Sequence, residues 1–411
     1  TDAKDGFDMA ALNTSYRSAA FMELAKIYFR ENSLQQAAEY AGKSLRNNED
    51  NTDAYQLLAL IYRKQKDEHA AKQILEKIKM IDPLTHFADA EKYIWSNTEA
   101  DKNAMIAAIR NELPEQIYLS QGIWYYNLGC MEEAKKIFAI APCAGEITYW
   151  NAFLNNQPFA EKRCGAVSAF PFHAETADVL QKLVEKNDAW ILKYHLALIW
   201  WNRNNADKAK QLLQQCGEPN YAPFYATKAM LFIGETEKNL LKAISLDNNA
   251  WRYPKLLGEY YMQQQQYVQA LHITEPFYKK YPANYIMGMA YAKSLLLNKK
   301  YAEADALLTR INIIPFEGAT DGRQLYHEAK LMQAVNEMKN GQYKKALVFI
   351  DASKLWPENL GVGKPYDDEI DDRLENWMLY LSYTKQGNKN FAQQALEKVL
   401  AFTPKRENTV S

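Results

Sequence analysis

Two stretches of this sequence gather residue types that could do chemistry. The first, IPFEGATDGRQLYH (314–327), offers Phe316, Glu317, Asp321 and Arg323. The second, WPENLGVGKPYDDEIDDR (356–373), offers Trp356, Asn359, Lys364, Tyr366, Asp367 and Arg373. Aromatic rings beside carboxylates and cations suit a polar ligand such as a sugar or a peptide segment. Glycoside cleavage would need two carboxylates, about 5 Å apart for retention or about 6.5–9.5 Å for inversion. Glu317 or Asp321 opposite Asp367 or Asp372 is the pairing available for it. Gly318, Gly322, Gly361 and Gly363 would permit close backbone approach or positive φ. The plainer reading makes both stretches long ordered turns that cap neighbouring helices.

Other constellations fall short. Gly361-Val-Gly363-Lys364 lacks the span of a phosphate loop and is followed by Pro365, not by Ser or Thr. Neither a GxSxG elbow nor an HExxH pair occurs. The six histidines, at 69, 86, 173, 195, 272 and 327, never stand four apart, so no metal site or cofactor is expected. Cys130, Cys143, Cys164 and Cys216 show no CxxC spacing and read as buried or semi-buried thiols, not as a disulfide framework.

Whatever these residues do, a repeat must position them. From Tyr55 to Pro83 the chain reads YQLLALIYRKQKDEHAAKQILEKIKMIDP. Small Ala59 is followed by Tyr62, Ala71 and Leu75. The same comb occurs 34 residues earlier at Ala25, Tyr28, Ala37 and Ala41. It returns at Gly122, Tyr125, Ala134 and Phe138, and at Ala197, Trp200, Ala209 and Leu213. Further copies start at Gly258, Ala292, Ala334 and Tyr380. Apolar residues at i, i+3, i+4 and i+7 make each unit a pair of amphipathic helices. One such hairpin cannot bury its apolar face alone, so units must stack and share a core. The spacing resembles the tetratricopeptide repeat. It predicts an all-α fold, an α-solenoid of about ten hairpins, with degenerate units near 85–112, 146–156 and 221–246. Trp124-Tyr125-Tyr126 and Trp200-Trp201 fall at helical spacing and read as packing; Lys299-Lys300 and Lys344-Lys345 read as solvated turn residues.

Three interruptions break the period. The stretch 156–174 is expected as a hinge between one sub-array over 1–155 and another over 175–411. The other two are 314–327 and 356–373, which join successive hairpins and should emerge on one edge, roughly 10 Å apart.

Composition narrows the function classes. With 48% hydrophobic residues and 13% aromatics in 411, there is material for a core, and disorder is excluded. The formal charge is −1 with signs interspersed, so no nucleic-acid partner is expected. No apolar run nears the roughly 18 residues of a membrane helix, so no membrane is expected. The first residues, Thr-Asp-Ala-Lys-Asp, carry neither initiator Met nor signal peptide, as in a processed chain or a piece of a longer one. The compartment stays open, with cytoplasm favoured over periplasm.

Four segments carry a closer resemblance: SAFPFHAET (168–176), WILKYHLALIWW (190–201), IPFEGATDGRQLYHEA (314–329) and WPENLGVGKPY (356–366). They resemble a family of large two-part proteins common in gut Bacteroidetes. In that family an N-terminal region of unassigned function, similar to mutarotase-like β-sandwiches, precedes a long tetratricopeptide array. The resemblance spans most of 168–383 and implies a carbohydrate-related setting; it supplies no catalytic residues. The expected function is a non-catalytic scaffold that binds a protein partner or its own upstream domain. The alternative is a module that binds a glycan or completes a glycan site. An α/α toroid with enzymatic activity of its own fits less well, because the 34-residue register argues against ring closure.

Overall fold

The computed structural model describes residues 2–160, 169–316, 320–366 and 369–402. All regular structure among them is helical, and the chain divides into two compact units, Thr1–Glu218 and Pro219–Ser411. In the first unit lie α1 (Asp2–Ala10), α2 (Arg17–Arg30), α3 (Leu34–Asn47), α4 (Thr52–Lys64), α5 (Glu68–Ile81), α6 (Phe87–Ser96) and α7 (Glu99–Ala108). It continues with α8 (Pro114–Asn127), α9 (Met131–Ile140), α10 (Gly145–Leu154), α11 (Ala174–Val184), α12 (Trp190–Asn202) and α13 (Ala206–Gln214). The second unit comprises α14 (Ala222–Leu231), α15 (Thr236–Leu246), α16 (Arg252–Gln263), α17 (Tyr267–Lys280) and α18 (Tyr285–Leu297). It ends with α19 (Tyr301–Leu308), α20 (Asp321–Lys339), α21 (Tyr343–Ser353), α22 (Arg373–Lys385) and α23 (Lys389–Ala401). From α2 onward the helices pair as antiparallel hairpins, α2 with α3 through α22 with α23. First helices also touch the first helix of the next hairpin, as α2 with α4, α16 with α18 and α18 with α20. Each unit is therefore an α-solenoid segment. The weak-comb regions hold hairpins too, α6–α7 and α14–α15, while α10 pairs with α11 across the expected connector. That connector lies inside the first unit, and the division falls at 218/219.

The comb marks where helices meet. Ala25, Ala37, Ala59, Ala71, Ala134, Ala197, Ala209, Ala292, Ala304, Ala334 and Ala346 are all buried. At Gly122 the reason is visible, since a Cβ there would stand 2.4 Å from the Phe138 ring on the second helix. The turns repeat as well. Seven residues after each comb residue a left-handed residue ends the first helix: Asn32, Lys66, Gly129, Asn204, Gln265, Lys299, Gly341 and Gly387, with φ from 58° to 79°. This conformation satisfies the last carbonyls of the helix and turns the chain back. Lys299 thus sits in its turn, whereas Lys344 and Lys345 belong to the first turn of α21. Several helix starts are capped by side chains, among them Asn51, Asp67, Asn205, Asn284 and Asn388, each accepting a backbone N–H.

The aromatic runs are packing. Tyr125 is buried, Trp124 meets Phe87 edge-on at 5.0 Å and donates to Asp53 at 3.0 Å, and Tyr126 meets Trp150 edge-on at 4.9 Å. Lys208 caps the Trp200 ring at 3.6 Å. Of the cysteines, Cys130 and Cys216 are buried thiols, and burial pushes the Cys130 thiol up to about 11. Cys143 departs from the thiol expectation, being disulfide-bonded; Cys164 lies outside the described residues.

One buried group gives the first unit a pH dependence. His195 on α12 is fully buried, its Nδ1 2.5 Å from the Tyr149 hydroxyl of α10. Burial lowers its pKa to about 3, so it stays neutral in the folded chain. Below about pH 6.5 the unfolded chain binds a proton at this histidine that the folded chain refuses. Stability is complete above that pH and falls as pH drops toward the folded value, by up to ~1.4 kcal/mol per unit. Thermal unfolding of the His195→Gln variant should therefore vary less between pH 7 and 5 than that of the parent. Equal slopes would contradict this.

Candidate functional site

The two long connections meet in the second unit, closer than their sequence positions suggest. After α19 ends at Leu308, residues 311–313 run against 359–361. The Ile313 amide donates to the Asn359 carbonyl at 2.8 Å. The Asn359 side chain returns two hydrogen bonds, to the Leu308 carbonyl at 2.9 Å and the Ile311 carbonyl at 2.8 Å. Ile311, Ile313 and Leu360 join Leu295, Leu307, Leu308 and Tyr326 in one buried cluster. Residues 311–313 are thus held by the connection that follows α21.

This clasp changes where α20 begins. The spacing reads 314–327 as an interruption, but helix starts at Asp321 and runs for 19 residues. Gly322 lies within it, where a Cβ would press within 2.7 Å of the Leu360 carbonyl. Arg323 and Tyr326 face inward, donating to the carbonyls of Ser353 at 2.7 Å and Ala352 at 3.1 Å. The Arg323 guanidinium stacks over the Trp356 ring at 4.6 Å. Burial lowers its pKa, although Glu375 nearby opposes the shift. His327 and Glu375 lie 2.5 Å apart and tie α20 to α22.

The ten residues singled out from the sequence therefore have different fates. Arg323 and Trp356 come together, and Asn359 is engaged by the Leu308 and Ile311 carbonyls. Arg373 pairs with Asp371 at 2.6 Å and stacks over Phe402 at 4.8 Å. Lys364 and Tyr366 are exposed. Phe316, 65% exposed, and Asp321 stand together on the wall of a groove. Glu317 and Asp367 lie outside the described residues. Asp372, a candidate carboxylate for glycoside cleavage, is held by Lys354 at 3.2 Å.

That groove, of about 570 Å³, runs along the first helices of three successive hairpins. α16 contributes Lys255, Glu259 and Met262; α18 contributes Tyr285, Ile286, Met289, Ala290 and Lys293; α20 contributes Asp321, Gln324, Leu325 and Glu328. Its floor is apolar and its charges stand on the rim. Apart from Phe316 and Asp321, these residues escape a search aimed at breaks in the period. A signal does exist in the comb. Lys255 and Met289 stand three before their comb residues Gly258 and Ala292, Glu259 and Lys293 one after, and Met262 four after. Among the described residues no cluster of His, Cys, Asp and Glu could hold a metal ion, and no helix is long and apolar enough to cross a membrane.

Among the described residues the chain is an all-α solenoid built of helical hairpins. No protein-family model and no curated protein sequence matches it. Among solved structures it is similar to the C-terminal part of a TPR repeat-containing protein from Cytophaga hutchinsonii. The TM-score is 0.41 at 15% identity, over 57% of this chain and 92% of that one. It is also similar to yeast Tom70, with TM-score 0.29 and 13% identity over 94% and 97% of the two chains. A third is YrrB, described as a TPR protein with an unusual peptide-binding site, with TM-score 0.28 and 17% identity over 56% and 95%. Likeness at this level extends to the helical-repeat architecture and no further.

Proposed function

We propose that the chain is a non-catalytic scaffold whose second unit holds a segment of a partner protein in the groove along α16, α18 and α20. The groove itself carries this reading: an apolar floor of Met262, Tyr285, Ile286, Met289 and Leu325, open to solvent and edged by charge. Such a face can seat a few apolar anchors of an incoming helix or extended segment, which supply most of the affinity. Two methionines on the floor let it adapt to the shape of the anchor.

The test is a selection of 12-residue peptides displayed on phage against the full chain. Selected peptides should lose about tenfold or more in affinity against Met289→Asp, which puts a charge on the floor. Phe316→Ala, at an exposed position, guards against misfolding and should also weaken them. A selection that yields no binder, or binders indifferent to both changes, would overturn the reading.

A finer form follows from the family resemblance. There the first partner to try is the upstream mutarotase-like domain, and the setting is a carbohydrate-related bacterial protein. Co-elution of this chain with that domain, separately expressed, tests it; independent elution argues for an external partner. The disulfide at Cys143 weighs toward an oxidising compartment, against the cytoplasmic expectation.

A further inference from the structure

We infer that the segment taken by this groove carries a basic side chain, preferably arginine, next to its apolar anchor, and that Phe316 and Asp321 receive it. The inference rests on the groove reading above and concerns the chemistry of the occupant. Five charged side chains line the wall: Lys255, Glu259, Lys293, Asp321 and Glu328. Lys255 and Glu259 neutralise one another in an ion pair of 2.7 Å. The remaining three make no ion pair within the described residues, which leaves two carboxylates against one ammonium.

The acidic excess has a specific neighbour. Asp321 opens α20, and Phe316, five residues before it, lines the same groove. The Phe316 ring is 65% exposed and meets no other ring or cation among the described residues. Leu325 stands one helical turn beyond Asp321, so an apolar floor, a carboxylate and an open aromatic face adjoin. A guanidinium satisfies both polar demands at once. Its flat face stacks on an aromatic ring while its edge forks onto a carboxylate, and it is less costly to desolvate than an ammonium. An acidic ligand would face Asp321 and Glu328 with only Lys293 in its favour. A purely apolar one would cover Asp321 and leave it unpaired.

The same phage selection decides the matter. Enriched peptides should carry Arg, or less often Lys, within four residues of their apolar anchor. A synthetic peptide of the most enriched sequence should bind about tenfold more weakly to Asp321→Asn, and changing its own Arg to Gln should cost as much. The two changes together should cost little more than either alone, as a double-mutant cycle requires of directly coupled groups. Peptides that need Met289 but carry acidic or uncharged flanks, or ignore Asp321→Asn, would overturn this inference and leave the groove reading standing. Peptides that do not depend on Met289 would overturn both.

Discussion

Replacing Arg63 with methionine should destabilise the first unit by about 3–5 kcal/mol, the cost of stranding a buried charge. Glu91 on α6 is 1% exposed, and its two oxygens accept from the Arg63 guanidinium of α4 and the Tyr125 hydroxyl of α8. Arg63 also reaches Glu133 on α9 at 3.2 Å, where Lys64 adds a second contact at 2.6 Å. Burial, reinforced by Glu91, pushes the Tyr125 pKa well above its ordinary value, so the phenol stays a donor. Three successive hairpins are joined through this one network. Methionine keeps much of the arginine stem but leaves the Glu91 side chain with the phenol alone. Combining Arg63→Met with Glu91→Gln should recover a good part of the loss, because glutamine still accepts from Tyr125 and carries no charge. Urea denaturation followed by circular dichroism measures both. A loss below about 1 kcal/mol for the single variant, within the range of exposed pairs, would show that the network does not hold the hairpins together.

Replacing Gly361 with valine should cost the second unit about 2–5 kcal/mol, combining backbone strain with overpacking. Gly361 adopts φ 67°, ψ 20°, the left-handed region that a β-branched residue resists. A Cβ there would also stand 2.7 Å from the Ile313 carbonyl, and backbone cannot rotate away as a side chain can. Relief requires the 311–313 strap to separate from 359–361, breaking the Asn359 bonds that fix the entry to α20. Gly363→Val is the matched control. A Cβ at Gly363 meets nothing within 4 Å, and its cost should stay near 0.5 kcal/mol, about that of an ordinary surface change. Equal behaviour of the two variants in urea denaturation would mean that the clasp contributes nothing to stability.

The comb made the hairpins legible because it records a steric demand. Where two helix backbones come close, only Ala or Gly fits, and Ala59 with Ala71 or Ala292 with Ala304 repeats that demand at fixed distance. The signal thins where the contact is made differently. In α6–α7 the buried Ala90 and Tyr93 keep the start of the comb, but Lys102 stands twelve after Ala90, where its second small residue would fall. The start of α20 was hidden for a related reason. Gly322 reads as a point of close backbone approach, but the sequence does not say to what, and only the fold shows that the Leu360 carbonyl is there. The Arg63 network was out of reach, since its partners lie 28 and 70 residues away in sequence and no local pattern links them.

The candidate site was legible only at its rim. Phe316 and Asp321 attract notice because they sit where the period breaks. Met289, Lys293 and Leu325 look like ordinary members of amphipathic helices, and their common wall exists only once three hairpins are stacked. The interruptions supplied a clasp more than a surface: Asn359 forms it, while Arg323 stacks on Trp356 and donates to the Ser353 carbonyl.

The measurement that bears most directly on the groove is hydrogen–deuterium exchange of the full chain, with and without saturating amounts of the most enriched synthetic peptide. Exchange should slow in α16, α18 and the first turns of α20, and stay unchanged in the first unit. Slowing confined to other helices, or none at saturation, would contradict the assignment of the groove as the binding site.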